Sequence, residues 1–199
     1  GLNCDVLLMT ATPIPRTLTM TIYGDMDISI IREKPKNRKP IKTYSKLEVK
    51  IEDVLKFIKK EINLGNQIFW VCPLIEESKK IDHASAMQKF EYLKKLFPNE
   101  VFLLHGKTTF DEKEIILNKF LKKEFKILVS TTIIEVGIDF PNANVIIIEN
   151  ANKFGLSQLH QLRGRVGRGD KESSCILMFK SNLSDNAKKR INILKDSND

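Results

Sequence analysis

Val145-Ile-Ile-Ile148 constrains this chain more than any other stretch. Four branched apolar side chains in a row leave no polar face, so a strand there must be covered on both sides. That is the situation of an interior strand in a parallel sheet. Comparable runs fall at Asp5–Thr10, Gln67–Pro73, Glu100–Leu104, Phe125–Ser130 and Ser174–Phe179, beside Asn144–Glu149 itself. Between them, apolar residues recur at helical spacing: Ile51, Val54, Leu55, Ile58 and Ile62, then Ala86, Phe90, Leu93 and Phe97, then Ile116, Leu117, Phe120 and Leu121. Thr109-x-x-Glu112 reads as a capping box opening the third of these helices. Strands alternating with helices predict a three-layer α/β/α fold with a mainly parallel sheet.

Lys34-Pro-Lys-Asn-Arg-Lys-Pro40 interrupts the alternation. Prolines at both ends of a cationic run can continue neither a helix nor a central strand, so 34–40 reads as an exposed linker. Before it stand one strand, a short helix around Arg16–Tyr23 and the extended Asp27–Ile31, too little for a core. Residues 1–33 are therefore expected to be the tail of a preceding domain, and the folded unit to start near Lys39. A last helix is expected over Asn186–Lys195.

A net charge of +8 favours a polyanionic partner such as nucleic acid, although lysines that merely solvate helix faces give the same total. Cys4, Cys72 and Cys175 are scattered, without zinc spacing or a paired framework, as expected of a reducing compartment. No apolar run is long enough to cross a membrane and the start lacks a signal-peptide pattern, so a cytoplasmic protein is expected.

The chemistry concentrates in Gln158-Leu-His-Gln-Leu-Arg-Gly-Arg-Val-Gly-Arg-Gly169. Arg163, Arg165 and Arg168 offer planar forks for phosphate oxygens, and Gly164, Gly167 and Gly169 let backbone approach something closely. On a helix, Arg165 and Arg168 would project from one face toward one anion. The plainer alternative is a basic surface turn near a helix end. Gly106-Lys-Thr108 imitates the end of a phosphate-binding loop, but Val101 stands where that loop needs its first glycine. Asp111-Glu112 imitates a magnesium-binding pair, yet sits at an expected helix start.

Other strand ends carry further phrases. Met9-Thr-Ala-Thr-Pro-Ile-Pro-Arg-Thr-Leu18 places Thr12 as a helix cap ahead of Pro13. Phe69-Trp-Val-Cys-Pro-Leu-Ile-Glu-Glu-Ser78, His105-Gly106 and Ser130-Thr-Thr-Ile-Ile-Glu-Val-Gly-Ile-Asp-Phe-Pro141 follow in order. In these phrases the chain resembles superfamily 2 helicases: motif III at Thr10 and Thr12, motif IV, motif V, and motif VI as Gln161, Gly164, Arg165 and Arg168. Nearly the whole chain resembles the RecG branch of DNA helicases. The transcription–repair coupling translocases share the motif V and VI wording, but fit less well at Trp70–Ser78 and Gly24–Asp27.

The resemblance implies the second RecA-like lobe of an ATP-dependent DNA helicase over 41–185, with 1–33 ending the first lobe and 186–199 opening the translocation segment. It implies that Arg165 and Arg168 reach the γ-phosphate of ATP, with Gln161 placing water or sensing phosphate. Gly137 and Asp139 would bind nucleotide, and Thr10 and Thr12 would couple the lobes. His105, Gly106, Thr131 and Thr132 would hold DNA. ATP and magnesium would be held mainly by the first lobe. The implied partners are DNA forks and Holliday junctions, the first lobe and a wedge domain, for a monomer acting off the membrane. The chain alone is expected to be inactive. A nucleic-acid-binding module and the motor lobe of a transcription–repair coupling translocase remain the alternatives.

Overall fold

The computed structural model describes residues 39–73, 79–131, 140–181 and 183–197, together with Ser29. The chain divides into two compact units, Gly1–Lys36 and Asn37–Asp199. The expected strand Asp5–Thr10, the helix around Arg16–Tyr23 and the linker as far as Arg38 lie outside the described residues.

Within the second unit the order is β1 (Ile41–Leu47), α1 (Ile51–Asn63), β2 (Gln67–Val71), α2 (Lys79–Leu96), β3 (Val101–Leu104), α3 (Phe110–Leu121), β4 (Ile127–Ser130), β5 (Ala143–Ile148), α4 (Leu156–Arg163), β6 (Ser173–Phe179) and α5 (Asp185–Asp196). The strands form one sheet in the order β1-β6-β5-β2-β4-β3. Every pairing is parallel. Parallel pairing requires each connection to cross over the sheet, which is why helices separate most of the successive strands.

The two apolar faces separate cleanly. Ile68, Trp70, Ile127, Val129, Val145 and Ile147 point to the side covered by Val54 and Ile58 of α1 and Ala86 and Leu93 of α2. Phe69, Val71, Leu128, Ile146 and Ile148 point to the side covered by α3, α4 and α5 through Leu117, Phe120, Leu159, Leu162, Ile191 and Leu194. Alternate residues of one strand thus feed opposite layers, as the strand period requires. Ile58, fully buried, contributes about 2–3 kcal/mol by this burial. Removing it would loosen α1 from the sheet. Among the buried polar residues, Gln67 donates through its Nε2 to the Phe120 and Phe125 carbonyls at 2.7 and 2.9 Å, joining the end of α3 to β2.

The three-layer architecture and five of the strands agree with the sequence expectation, whereas β1 is an addition to it. Its centre is Thr43-Tyr-Ser45 between Lys42 and Lys46, and Ile41 alone is buried. β1 is the more exposed of the two edge strands, whereas β3 at the other edge buries Val101 and Leu104 and keeps an apolar run. Helix starts follow local chemistry. Thr109 accepts from the Glu112 amide at 3.3 Å while Glu112 reaches back to the Thr109 amide at 3.0 Å, the expected capping box. Ser184 accepts from the Ala187 amide at 3.3 Å and opens α5. Among the described residues no helix is long and apolar enough to cross a membrane.

Candidate functional site

The run that the sequence singles out does not continue as a helix. α4 ends at Arg163, and Gly164 to Gly169 form a turn leading to the start of β6. Arg165 and Arg168 are therefore not presented by a helical face, as their spacing suggested, but by this turn. Glycine explains the difference. Gly167 adopts a φ of +76°, open to glycine and strained for other residues. A Cβ there would lie 3.0 Å from Cγ1 of Ile41 in β1. Gly169 presses on the chain before β5, where an added Cβ would stand 2.5 Å from the Pro141 carbonyl oxygen. Phe140, next to that contact, is fixed in the core against Phe69 and Phe120, with ring centroids 5.6 and 5.5 Å away. The turn is thus clamped against the amino-terminal edge of β1, β5 and β6.

The three arginines separate on this frame. Arg163 is 1% exposed. Its Nη1 donates to the Leu194 and Ser197 carbonyls at 2.8 and 2.9 Å, and to Thr43 Oγ1 at 3.4 Å. These carbonyls close α5, so the guanidinium satisfies acceptors that a helix end leaves open. Arg163 is a strap between α4, α5 and β1, and not a phosphate grip. Arg165 is half-buried and Arg168 exposed, its Nε 3.5 Å from the Gly164 carbonyl. Gln161 is exposed on the last turn of α4.

A second group of expected residues lies at the opposite, carboxyl-terminal edge. His105 follows β3 and Thr131 follows β4, and the strands end in register at Leu104 and Ser130. The Thr131 amide donates to the Leu104 carbonyl at 3.2 Å, which brings His105 and Thr131 side by side. His105, Gly106, Lys107 and Thr108 make a tight turn, with the His105 amide on Thr108 Oγ1 at 3.1 Å and the Lys107 amide on His105 Nδ1 at 3.1 Å. Thr131 is 4% exposed. Its hydroxyl oxygen is buried and has no hydrogen-bond partner among the described residues. Carboxyl ends of parallel strands are where open α/β sheets bind ligands.

Gly137, Asp139, Thr132, Thr10 and Thr12 lie outside the described residues. Glu112 is committed to its capping box, and the backbone and hydroxyl of Thr109 hold its carboxyl below the usual carboxylate range. Among the described residues no cluster of His, Cys, Asp or Glu could hold a metal ion. Sequence reasoning passed over one further group at the carboxyl edge. Glu149, just past β5, accepts from Trp70 Nε1 at 2.9 Å and pairs with Lys89 Nζ at 2.8 Å. The available signal was a lone carboxylate ending a wholly apolar strand, which demands buried donors nearby.

The helicase conserved C-terminal domain family matches residues 49–170. Over its whole length the chain is 47% identical to the ATP-dependent DNA helicase RecG of Bacillus subtilis, of which it covers 29%. Over 89% of its length it is 54% identical to the RecG of Aquifex aeolicus, of which it covers 22%. The chain thus spans less than a third of these relatives. A solved structure of RecG bound to a three-way DNA junction superimposes on 95% of the chain with a TM-score of 0.80 and 42% identity, and the chain covers 25% of it.

Proposed function

The chain belongs to the helicase conserved C-terminal domain family, and from that premise we propose that it is the second RecA-like motor lobe of an ATP-dependent DNA helicase of the RecG type. In this reading 41–185 form the lobe, 1–33 end a preceding lobe, 34–40 link the two, and 186–199 open the translocation segment. The observation that carries the reading is the arginine turn. Arg165 and Arg168 stand on backbone clamped at Ile41 and Pro141, while Arg163 is spent on holding the helix before it. Cations held on such a fixed turn are preorganised to meet developing negative charge.

ATP binds between this lobe and the preceding one, which holds its phosphates. Arg165 and Arg168 reach across to the γ-phosphate and stabilise the transferring group, a contribution of several powers of ten in other nucleotide hydrolases. Gln161 places the attacking water or senses the phosphate, and Gly137 and Asp139 bind nucleotide. No residues fit magnesium among those described, and in this reading the ion is held mainly by the preceding lobe. Thr131, Thr132, His105 and Gly106 hold the DNA backbone, and Thr10 and Thr12 couple the lobes. The buried hydroxyl of Thr131, which has no hydrogen-bond partner among the described residues, supports this, because a polar oxygen left unpaired is costly unless a ligand completes it. That a relative was solved on a three-way junction supports branched DNA as substrate, with fork reversal and branch migration as the reactions of a cytoplasmic monomer that also carries a wedge domain.

The test compares the chain with the full-length protein of its gene. The chain alone should hydrolyse no ATP above buffer, with or without DNA. The full-length protein should hydrolyse ATP and be stimulated by forked DNA. Metal-dependent hydrolysis by the pure chain would overturn the divided site and return attention to Gly106–Thr108.

A further inference from the structure

Glu149 carries no role among the expected site residues, although its partners Trp70 and Cys72 lie in the phrase Phe69–Ser78, and it joins both candidate regions. Its carboxylate gathers donors from β2 and α2: Trp70 Nε1 at 2.9 Å and Lys89 Nζ at 2.8 Å, both on Oε1, with Cys72 Sγ 3.7 Å from Oε2. Lys89 also lies over the rings of Trp70 and Tyr92, at 5.4 and 5.7 Å. Glu149 is 9% exposed and Trp70 fully buried. A buried ion pair adds little net stability over apolar packing of the same volume, but its directional bonds fix where the joined elements sit.

What they fix is the carboxyl edge. The Glu149 amide donates to Val71 at 2.9 Å, the Cys72 amide to Ser130 at 2.8 Å, and the Thr131 amide to Leu104 at 3.2 Å. A set of backbone bonds therefore runs from Glu149 across β2 and β4 to Leu104, the residue before His105. On its other side Glu149 precedes Asn150, in the left-handed region at φ 45°, and the short turn Ala151–Lys153 that leads into α4. Ala151 is fully buried in the same core as Leu159 and Leu162 of α4. The residue that ends the DNA-facing edge thus begins the short connection to α4, beyond which the arginine turn lies.

We propose that Glu149, held by Lys89 and Trp70, is a positioning residue that couples DNA contact at the Thr131–His105 edge to the arginine turn beyond α4. This rests on the helicase reading. DNA phosphates engaging the edge bias its position, and Glu149 passes that bias into α4 because its carboxylate cannot shift without breaking bonds to two other elements. Loss of the node uncouples stimulation by DNA from hydrolysis without touching either binding site.

The experiment uses the full-length protein carrying Glu149→Gln, Lys89→Met or Lys89→Arg, with forked DNA as probe. Basal turnover, DNA-stimulated turnover and the thermal midpoint are measured. Glu149→Gln keeps an acceptor for the Trp70 N–H but loses the charge that holds Lys89. It should lower stimulated turnover about tenfold, within the usual range of coupling between sites, and leave basal turnover unchanged, while the midpoint falls because Lys89 is left without its charged partner. Lys89→Met should act in the same direction, and Lys89→Arg should retain stimulation. Normal stimulation in both charge-removing variants overturns the proposal, as does an equal fall of basal and stimulated turnover. If Glu149→Gln does not fold, Lys89→Met decides, because it leaves the Trp70–Glu149 bond in place. An unsubstituted full-length protein without DNA-stimulated hydrolysis removes the helicase reading and this proposal together, and is told apart because it fails before any variant is made.

Discussion

Arg163 and Arg168 stand in one short run of sequence, carry the same side chain, and meet opposite surroundings. Arg163 is 1% exposed and spends its donors on the carbonyls that end α5. Arg168 lies exposed on a turn held by contacts of glycine backbone with Ile41 and Pro141. The boundary between them is the end of α4. Before it, a guanidinium is enclosed by the layer that α5 completes; past it, Val166 still packs in that layer while Arg168 is exposed. Residue type supplied the chemistry in both cases, and the position of a helix end decided whether it serves the fold or a ligand.

The comparison is broken most directly by exchanging the consequences of the two losses. Arg168→Ala in the full-length protein should lower DNA-stimulated ATP turnover by about three powers of ten, near 4 kcal/mol, while the thermal midpoint stays put. Normal turnover would remove Arg168 from the site. Arg163→Met should do the reverse in kind. It leaves the Leu194 and Ser197 carbonyls without their charged donor, costing about 3 kcal/mol, which a melt should register as a midpoint lowered by roughly 6–12 °C. A variant that melts with the unsubstituted protein would show that the strap contributes nothing. Smaller again is Gly169→Ala. Its Cβ would meet the Pro141 oxygen at 2.5 Å, so backbone must move, at about 1–3 kcal/mol by urea titration. Unchanged stability would mean that the turn is not clamped there.

How much of this could be read beforehand depended on whether the cause was local. Interior strands announced themselves because burial on both faces forces runs such as Val145–Ile148. The capping box at Thr109 and Glu112 was legible because donor and acceptor lie three residues apart. β1 was not, because this edge strand buries only Ile41 and carries lysines and hydroxyl residues elsewhere, unlike β3 at the other edge, which buries Val101 and Leu104. The end of α4 was ambiguous, since glycine and arginine suit both a last helical turn and a loop. The partition of the arginines was hidden for a different reason. Arg163 is enclosed by Leu194 and Ser197, 31 and 34 residues on. Glu149 was missed on the same grounds, its Trp70 partner lying 79 residues away. Roles at Gly137, Asp139 and Thr132 rest on the phrases themselves, since those positions lie outside the described residues.

Gly164 makes the finest test, because the fold gives it no reason to be glycine. Its φ of −65° is open to any residue. An added Cβ would meet the His160 carbonyl at 3.4 Å and the Gln161 carbonyl at 3.5 Å, ordinary contact distances. Gly164→Ala should therefore leave the midpoint unchanged, or raise stability by about 0.4–1 kcal/mol by restricting the unfolded chain. If Arg165 and Arg168 face a nucleotide held by a preceding lobe, the small side at 164 answers to that approach and not to packing within this unit. Turnover of the full-length variant should then fall at least about tenfold, 1.4 kcal/mol in the barrier, with no loss of stability. A variant that melts early would place Gly164 with Gly169 as a requirement of the fold. A variant normal in both respects would confine the site to residues beyond the helix end, from Arg165 onward.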